Sequence, residues 1–454
     1  MQEYSREQGD INATDLRRKY VQRNLSVQAQ EIADDDAAYF IHQSLSTPVL
    51  NVLSKAEGIY IYDLEGKPYI DMHGNGVHNV GFNNETVIEA VINALRQKNT
   101  FTPRRYTNEH AVALAKKLVE ITPSGLDRVL FAPGGSEAIE MAVMLAKQVT
   151  GKWKTISFWD SYHGNGFQAS SIGGEELFKG GNGPMMPGAL HVEFPNYYRN
   201  PWGFASQEAV DDEIIRQMSI LFEKEGDIAC VIGEPVSSTP LIPSCSFWAR
   251  VKQLCEKHGA LLIFDEIIEG FGRTGRLFAC EHYVTPDILV LGKSLGGGLL
   301  PFAAIVANDK YNVLQHRSIG HFTHEKNGLC SAAGLAMIDY LQEHQLVEHA
   351  DEVGRFALEW LEQMKERHRL VGHINGIGLH IGIELVKDQR DKEKAIVEAE
   401  MVMYKAMERG IAFKIIEGNV ITLRPSLLIT IEEMKWVLEQ IEACIHEVES
   451  ALYY

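Results

Sequence analysis

The six cysteines of this 454-residue chain form no Cys-x-x-Cys pair. Their scarcity and spacing exclude a disulfide scaffold and fit reduced thiols in the cytoplasm. Long apolar runs are also missing. No stretch reaches the roughly 18 apolar residues that cross a bilayer, and Leu299 to Ala307 comes nearest. The opening MQEYSREQGDINATDLRRKY is polar throughout and is no signal peptide. Positive charge is in short supply: 43 Lys and Arg stand against 61 Asp and Glu, a net charge of −18. Such a surface repels phosphate backbones and argues against nucleic acid as a partner. An anionic ligand must then be caught by a few local cations. Repeats and low-complexity linkers are absent. What is present is a globular composition, 45 % hydrophobic and 23 % charged, which excludes disorder. The length asks for more than one core.

From about residue 125 to 310 short β-branched runs alternate with helical periodicity. The runs are Arg128–Ala132, Thr155–Trp159, Ile228–Gly233, Ala260–Phe264 and Asp287–Leu291, and the helices include Glu137–Thr150 and Phe247–His258. This alternation predicts an α/β fold around a mainly parallel sheet covered on both faces, with ligands at the carboxyl ends of its strands. Residues 1–50 read as a polar arm lying on another surface. The C-terminal block reads as a small α+β domain: a long helix from about 340, a strand at Gly378–Leu385, a helix near Lys394–Arg409, a strand at Asn419–Leu423 and a last helix from Ile431. The expected organisation is an arm and part of a small domain over 1–70, a large domain over 71–340, and the rest of the small domain over 341–454.

Chemistry concentrates at the predicted strand ends. PDILVLGKSLGGGLLP puts Lys293 after a buried strand and before three glycines, where an amine is costly unless it is used or paired. A P-loop needs glycine five residues before Gly-Lys-Ser, and that position is Asp287. No Gly-x-Ser-x-Gly elbow occurs either, which removes the serine hydrolases of that type. LLIFDEIIEGFGRTG ends a second strand in Asp265 and Glu266. An amine at one strand end and a carboxylate at another are what a pyridoxal phosphate site requires, the carboxylate keeping the ring nitrogen protonated. In FAPGGSEAIEMAVMLAKQ, Gly134, Gly135 and Ser136 form a strand-to-helix turn suited to a phosphate, although any serine-capped turn looks similar. Tyr162 and His163 of SYHGNG follow another strand, placed to stack on an aromatic cofactor. No metal-ligand set is read from the sequence.

Taken in order, Gly-Gly-Ser-Glu-Ala, Tyr-His-Gly, Glu-Pro, Asp-Glu-Ile-Ile-x-Gly-Phe-Gly-Arg-Thr-Gly and Gly-Lys resemble the class III aminotransferases of PLP fold type I. The resemblance runs from about Gly58 to the final helix. It implies a large domain with a mainly parallel seven-stranded-type sheet plus a small α+β domain built from both terminal segments. It implies Lys293 as the Schiff-base lysine and Asp265 as the partner of the pyridinium nitrogen. Ile267 and Tyr162 would cover the two ring faces, Gly135 and Ser136 would hold the phosphate, and Glu234 of Glu-Pro would lie near the site. Thr323, in GHFTHEKNGLCSAAGLA, matches a threonine that reaches the phosphate of the neighbouring subunit. The implied assembly is a homodimer with shared sites, open to pairing further into a tetramer. A helix-capping loop before Ala332–Ile338 is the other reading of that segment, and Gly328 stands where the family has proline.

The usual anchors for a 2-oxo acid are altered. Thr422 occupies one arginine position, with Arg424 displaced against the proline, and Lys414 replaces another arginine out of register. Arg104, Arg105 and His78 are further candidates to hold an anion, each against the simpler reading of a solvated charge. The variant turn Thr-His-Glu-Lys-Asn is similar to a side branch that includes PLP-dependent lyases of small amino-phosphonates. That branch implies an ammonia-lyase acting on a compound such as (R)-1-hydroxy-2-aminoethylphosphonate to give phosphonoacetaldehyde and ammonia. The alternatives are an ω-aminotransferase passing an amino group from a primary amine to a 2-oxo acid, and a silent scaffold. A scaffold is expected to lack Lys293 or Asp265.

Overall fold

A computed structural model of the chain describes residues 14–41 and 49–453. Two compact units emerge. One runs from Asn84 to Glu348. The other joins the chain up to Asn83 with the chain from His349 onward.

The Asn84–Glu348 unit is built on a seven-stranded sheet of β1 (Arg128–Ala132), β2 (Lys154–Phe158), β3 (Ala189–Val192), β4 (Ile228–Gly233), β5 (Leu261–Asp265), β6 (Ile288–Leu291) and β7 (Ala303–Ala307). Their spatial order is β1-β7-β6-β5-β4-β2-β3. Only β7 runs antiparallel, pairing Ala303 with Ala132 and Ala304 with Leu291; the other pairings are parallel. Every residue of β4, β5, β6 and β7 is buried, as a sheet covered on both faces demands. The helix Gly135–Thr150 lies on it through Ala138, Ile139, Met141, Ala142, Val143, Leu145 and Ala146. It ends at Gly151, whose φ of 69° supplies the left-handed cap. Because β1, β2, β4, β5 and β6 share a direction, Gly134, Tyr162, Glu234, Asp265 and Lys293 all follow strand ends at one edge of the sheet.

The mainly parallel sheet expected from the sequence is present. β1, β4 and the helix Phe247–His258 carry the bounds their periodicity predicts. Two strands escaped that reading. β3 is four residues long, and β7 lies in the apolar run that was weighed only as a membrane span. Among the described residues no helix is long and apolar enough to cross a membrane.

The other unit holds two four-stranded sheets. Leu53–Glu57, Tyr60–Asp63, Pro68–Asp71 and Ile411–Ala412 form one; Val371–Ile377, His380–Leu385, Val420–Leu423 and Lys414–Ile416 form the other. The strand expected at Gly378–Leu385 starts two residues later. Gly378 has φ +54° and turns the chain between Val371–Ile377 and His380–Leu385, which pair antiparallel. Of the expected N-terminal arm, residues 1–13 and 42–48 lie outside the described residues. The helices Leu16–Asn24 and Val27–Tyr39 are described. Tyr20 is buried, its ring centroid 5.6 Å from that of Tyr404, and the Thr14 amide donates to Glu400 at 3.0 Å.

Candidate cofactor site at the strand ends

Asp265 closes β5 with its carboxylate nearly out of solvent, at 3 % exposure. One oxygen accepts from the Ile267 amide at 3.1 Å, and the other lies 2.8 Å from Nδ1 of His163, which is also buried. A ring nitrogen at that distance from a carboxylate is a donor, so Nδ1 carries hydrogen and Nε2 is left unpartnered among the described residues. His163 was expected to stack on a ring; here its polar edge is spent on Asp265. Glu234, just past β4, accepts from the Ser238 amide at 3.2 Å. Burial, and then the charge of Asp265, pushes its carboxyl up to about 7, against the opposing pull of His163 and Lys293. Lys293 begins a short 3-10 turn after β6 with φ +46°. A lysine in the left-handed region is held there by its surroundings at a cost of about 1–3 kcal/mol.

The phosphate turn is as bare as the sequence implies. Gly134 precedes the helix in extended backbone, and no side chain caps the first amides, which leaves donors and the positive end of the helix dipole for an anion. Gly164, at φ +128°, lies so close to Ser136 that an added Cβ would sit 2.8 Å from its Cα. The Asn165 amide donates to Ser136 Oγ at 3.1 Å, tying the Tyr-His-Gly loop to the phosphate turn. A Cβ on Gly135 would meet Ile267 at 2.9 Å, and one on Gly292 would meet the same side chain at 3.3 Å. Ile267 thus fills the space between the phosphate turn and the lysine turn. Tyr162 is half-buried with its ring 4.4 Å from that of Phe178. Its phenol is raised above its ordinary range by burial and then by Asp265.

Lys293, Asp265, Glu234, His163, Ile267, Tyr162, Gly135 and Ser136 are therefore one connected group. The remaining candidates are placed differently. Thr323 is exposed on the loop before the helix Gly328–Glu343. That loop does cap a helix: Asn327 accepts from the Leu329 and Cys330 amides. Gly328 is needed there because an added Cβ would strike both the backbone oxygen and the side chain of Asn99. Arg104 and Arg105 are exposed on a turn of the same unit. His78, Lys414 and Arg424 belong to the other unit. His78 is fully buried, with its ring 4.6 Å from that of Phe82; it is not a solvated charge. Arg424 is 3 % exposed and its amide donates to Met72 O at 2.6 Å. Thr422 is buried and donates to the backbone oxygen of Lys414 at 2.9 Å.

Two carboxyls were not separated by sequence reasoning. Glu266 accepts from the Ala279 and Cys280 amides at 2.6 and 2.7 Å and staples the Gly-Phe-Gly-Arg-Thr-Gly loop, its proton affinity pushed up to about 7 by burial. Glu269, on the turn after β5, went unnoticed. A glutamate in an otherwise apolar Ile-Ile-x-Gly stretch was the signal available.

Residues 41–445 match the family described as Aminotransferase class-III. The chain belongs to that family. It is 40 % identical to the (R)-1-hydroxy-2-aminoethylphosphonate ammonia-lyase of Vibrio splendidus (strain 12B01), over 98 % of this chain and 95 % of the relative. It is 33 % identical to the leucine/methionine racemase of Thermococcus litoralis, over 92 % and 96 %. Among solved structures it resembles an amine transaminase from an uncultivated Pseudomonas species in the PLP-bound form, with a TM-score of 0.85 and 29 % identity over 90 % of this chain and 99 % of that one. This class III fold is PLP fold type I. The residues present fit pyridoxal phosphate: the phosphate turn is uncapped, glycines stand where a Cβ would close the space, and a buried carboxylate lies at the next strand end but one, paired to a histidine.

Proposed function

We propose that the protein is a PLP-dependent ammonia-lyase acting on a small hydroxylated amino-phosphonate such as (R)-1-hydroxy-2-aminoethylphosphonate. The observation that carries the pyridoxal reading is the pairing of Asp265 with His163 one strand away from Lys293. The lyase reading is supported by the 40 % identity to the ammonia-lyase along nearly the whole chain. When bound, pyridoxal phosphate supplies an electron-accepting ring that holds the substrate's amino group and spreads the charge left by a departing proton. The amides of Gly135 and Ser136 would hold its phosphate, and Ile267 and Tyr162 would keep water from its faces. Asp265 would offer its carboxylate to the ring nitrogen, and His163 Nδ1–H would fix that carboxylate's orientation. The Lys293 amine takes the proton from the amine-bearing carbon. The neighbouring carbon would then lose its hydroxyl as water, with the proton that Lys293 holds, and the unsaturated amine that leaves takes up water to become phosphonoacetaldehyde and ammonia. One substrate suffices, so altered 2-oxo acid anchors cost nothing.

We place the reaction in a homodimer in which Thr323 of one subunit serves the phosphate of the other. Arg104 and Arg105 are the proposed grip on the phosphonate. The Arg104→Ala/Arg105→Ala variant should raise KM about tenfold or more, roughly 1.4 kcal/mol of lost binding, with the cofactor absorbance intact. An unchanged KM returns the pair to the surface.

The deciding assay is ammonia release without any 2-oxo acid, on a panel of 1-hydroxy-2-aminoethylphosphonate, phosphoethanolamine, 2-aminoethylphosphonate and β-alanine. Sustained release from the hydroxylated phosphonate with the cofactor spectrum preserved is the expected result. A single stoichiometric conversion, relieved only by pyruvate or another oxo acid, would replace the lyase with an ω-aminotransferase, the activity of several structural neighbours.

A further inference from the structure

Glu269 is fully buried, and neither of its carboxyl oxygens has a hydrogen-bond partner among the described residues. It sits on the turn after β5, four residues beyond Asp265. The Gly270 amide closes this turn onto the backbone carbonyl of Glu266 at 3.0 Å. The charged groups that act on it come from three adjacent strand ends: Glu234 after β4, Asp265 and Glu266 at β5, and Lys293 after β6. His163, from the loop after β2, acts on Glu234 in turn. Glu266 is spoken for by two backbone amides, and Asp265 by His163 and an amide. Glu269 has no donor among the described residues. A carboxylate without a donor, out of water and beside other carboxylates, is too costly to keep ionised, so the group keeps its proton. Burial and the charges of Glu234 and Asp265 all raise its proton affinity, and only Lys293 opposes them strongly. A neutral carboxyl has one O–H to give: both oxygens of Glu266 and both of Asp265 already face a donor, while Glu234 takes the Ser238 amide on one oxygen only, which leaves Glu234 as the acceptor.

We propose that Glu269 is a positioning residue that shares one proton with Glu234, so that the buried acid cluster carries one negative charge fewer than its carboxyls and leaves Lys293 free to act as a base. A further carboxylate beside Lys293 would hold its amine protonated. The proposal deepens the pyridoxal reading and rests on Lys293 carrying the cofactor. The family resemblance assigns nothing to position 269.

The test separates a neutral from an ionised carboxyl by sign. An acid that holds its proton more tightly in the fold than in the unfolded chain stabilises the fold at low pH. That contribution is lost as the pH rises from the unfolded value toward the folded one. Gln is neutral at every pH and keeps a donor for Glu234. Thermal midpoints of the holoenzyme and of Glu269→Gln, measured at pH 5 and pH 8, should therefore diverge in favour of the variant by roughly 3 °C or more on going to pH 8. A difference that stays constant or turns against Gln at pH 8 would overturn the proposal, because it would mean a paired carboxylate. The second readout is the pH titration of the cofactor's visible absorbance. Glu269→Gln should keep the wild-type midpoint, while Glu269→Leu, which takes the donor from Glu234 and lets that group protonate, should lower it. A Gln variant shifted as far as Leu would also overturn the proposal. If wild type shows no lysine-linked absorbance, the pyridoxal reading fails by itself, and the thermal comparison still decides the state of Glu269.

Discussion

Lys293→Ala is expected to remove the lysine-linked cofactor absorbance and to lower turnover by at least about ten-thousandfold. General acid–base catalysis by one well-placed group accounts for roughly 10²–10⁴ of rate, and this lysine is asked both to hold the cofactor and to move the proton. The loss corresponds to about 5 kcal/mol in the barrier. The backbone also constrains the outcome. Lys293 has φ +46°, a conformation as costly for alanine as for lysine, so the fold should survive with its thermal midpoint in the apo form little changed. Absorbance spectra and single-turnover ammonia release check the two halves separately. Retained turnover would sink the central role of the residue, and loss of folded protein would make Lys293→Met the variant to measure.

The second large effect concerns Asp265. Asp265→Asn keeps the shape and can still accept from the Ile267 amide, but it removes the charge that faces His163 Nδ1 and that, on the proposed reading, would face the ring nitrogen of bound pyridoxal phosphate. Without that charge the ring nitrogen gives up its proton and the electron sink weakens. Turnover is expected to fall roughly a thousandfold, about 4 kcal/mol in barrier height, with cofactor still bound through Lys293 and the phosphate turn. Glu266→Gln makes the control. Both of its carboxyl oxygens accept backbone amides, from Ala279 and Cys280, so its loss should appear in thermal stability and leave the cofactor spectrum in place. If the two variants exchanged phenotypes, the assignment of the adjacent carboxyls would have to be reversed.

The surroundings of these two adjacent carboxyls could not have been read from the sequence, and the reason is physical. Periodicity and composition record how an element is buried along its own length. They were enough for the parallel sheet, the glycine turn before Gly135–Thr150 and the lysine after β6. The order of those pieces was enough for the family and its cofactor. Where a side chain goes beyond a strand end depends on partners far along the chain. Asp265 meets a histidine 102 residues away, while Glu266, one position later, is taken by amides 13 and 14 residues downstream. Gly328 looked like a departure from the family turn until Asn99 was found against it. His78 read as a candidate to hold an anion, against a solvated charge, and is wholly buried. Glu269 drew no notice in a chain of charge −18, and only its enclosure after the strand end makes it the proposed proton holder. The sequence by itself determined the sheet, the cofactor class and the lysine, because each follows from local patterning and chemistry. The tertiary structure decided what surrounds each carboxyl, because the donors and solvent that the folded chain leaves a charge set its cost.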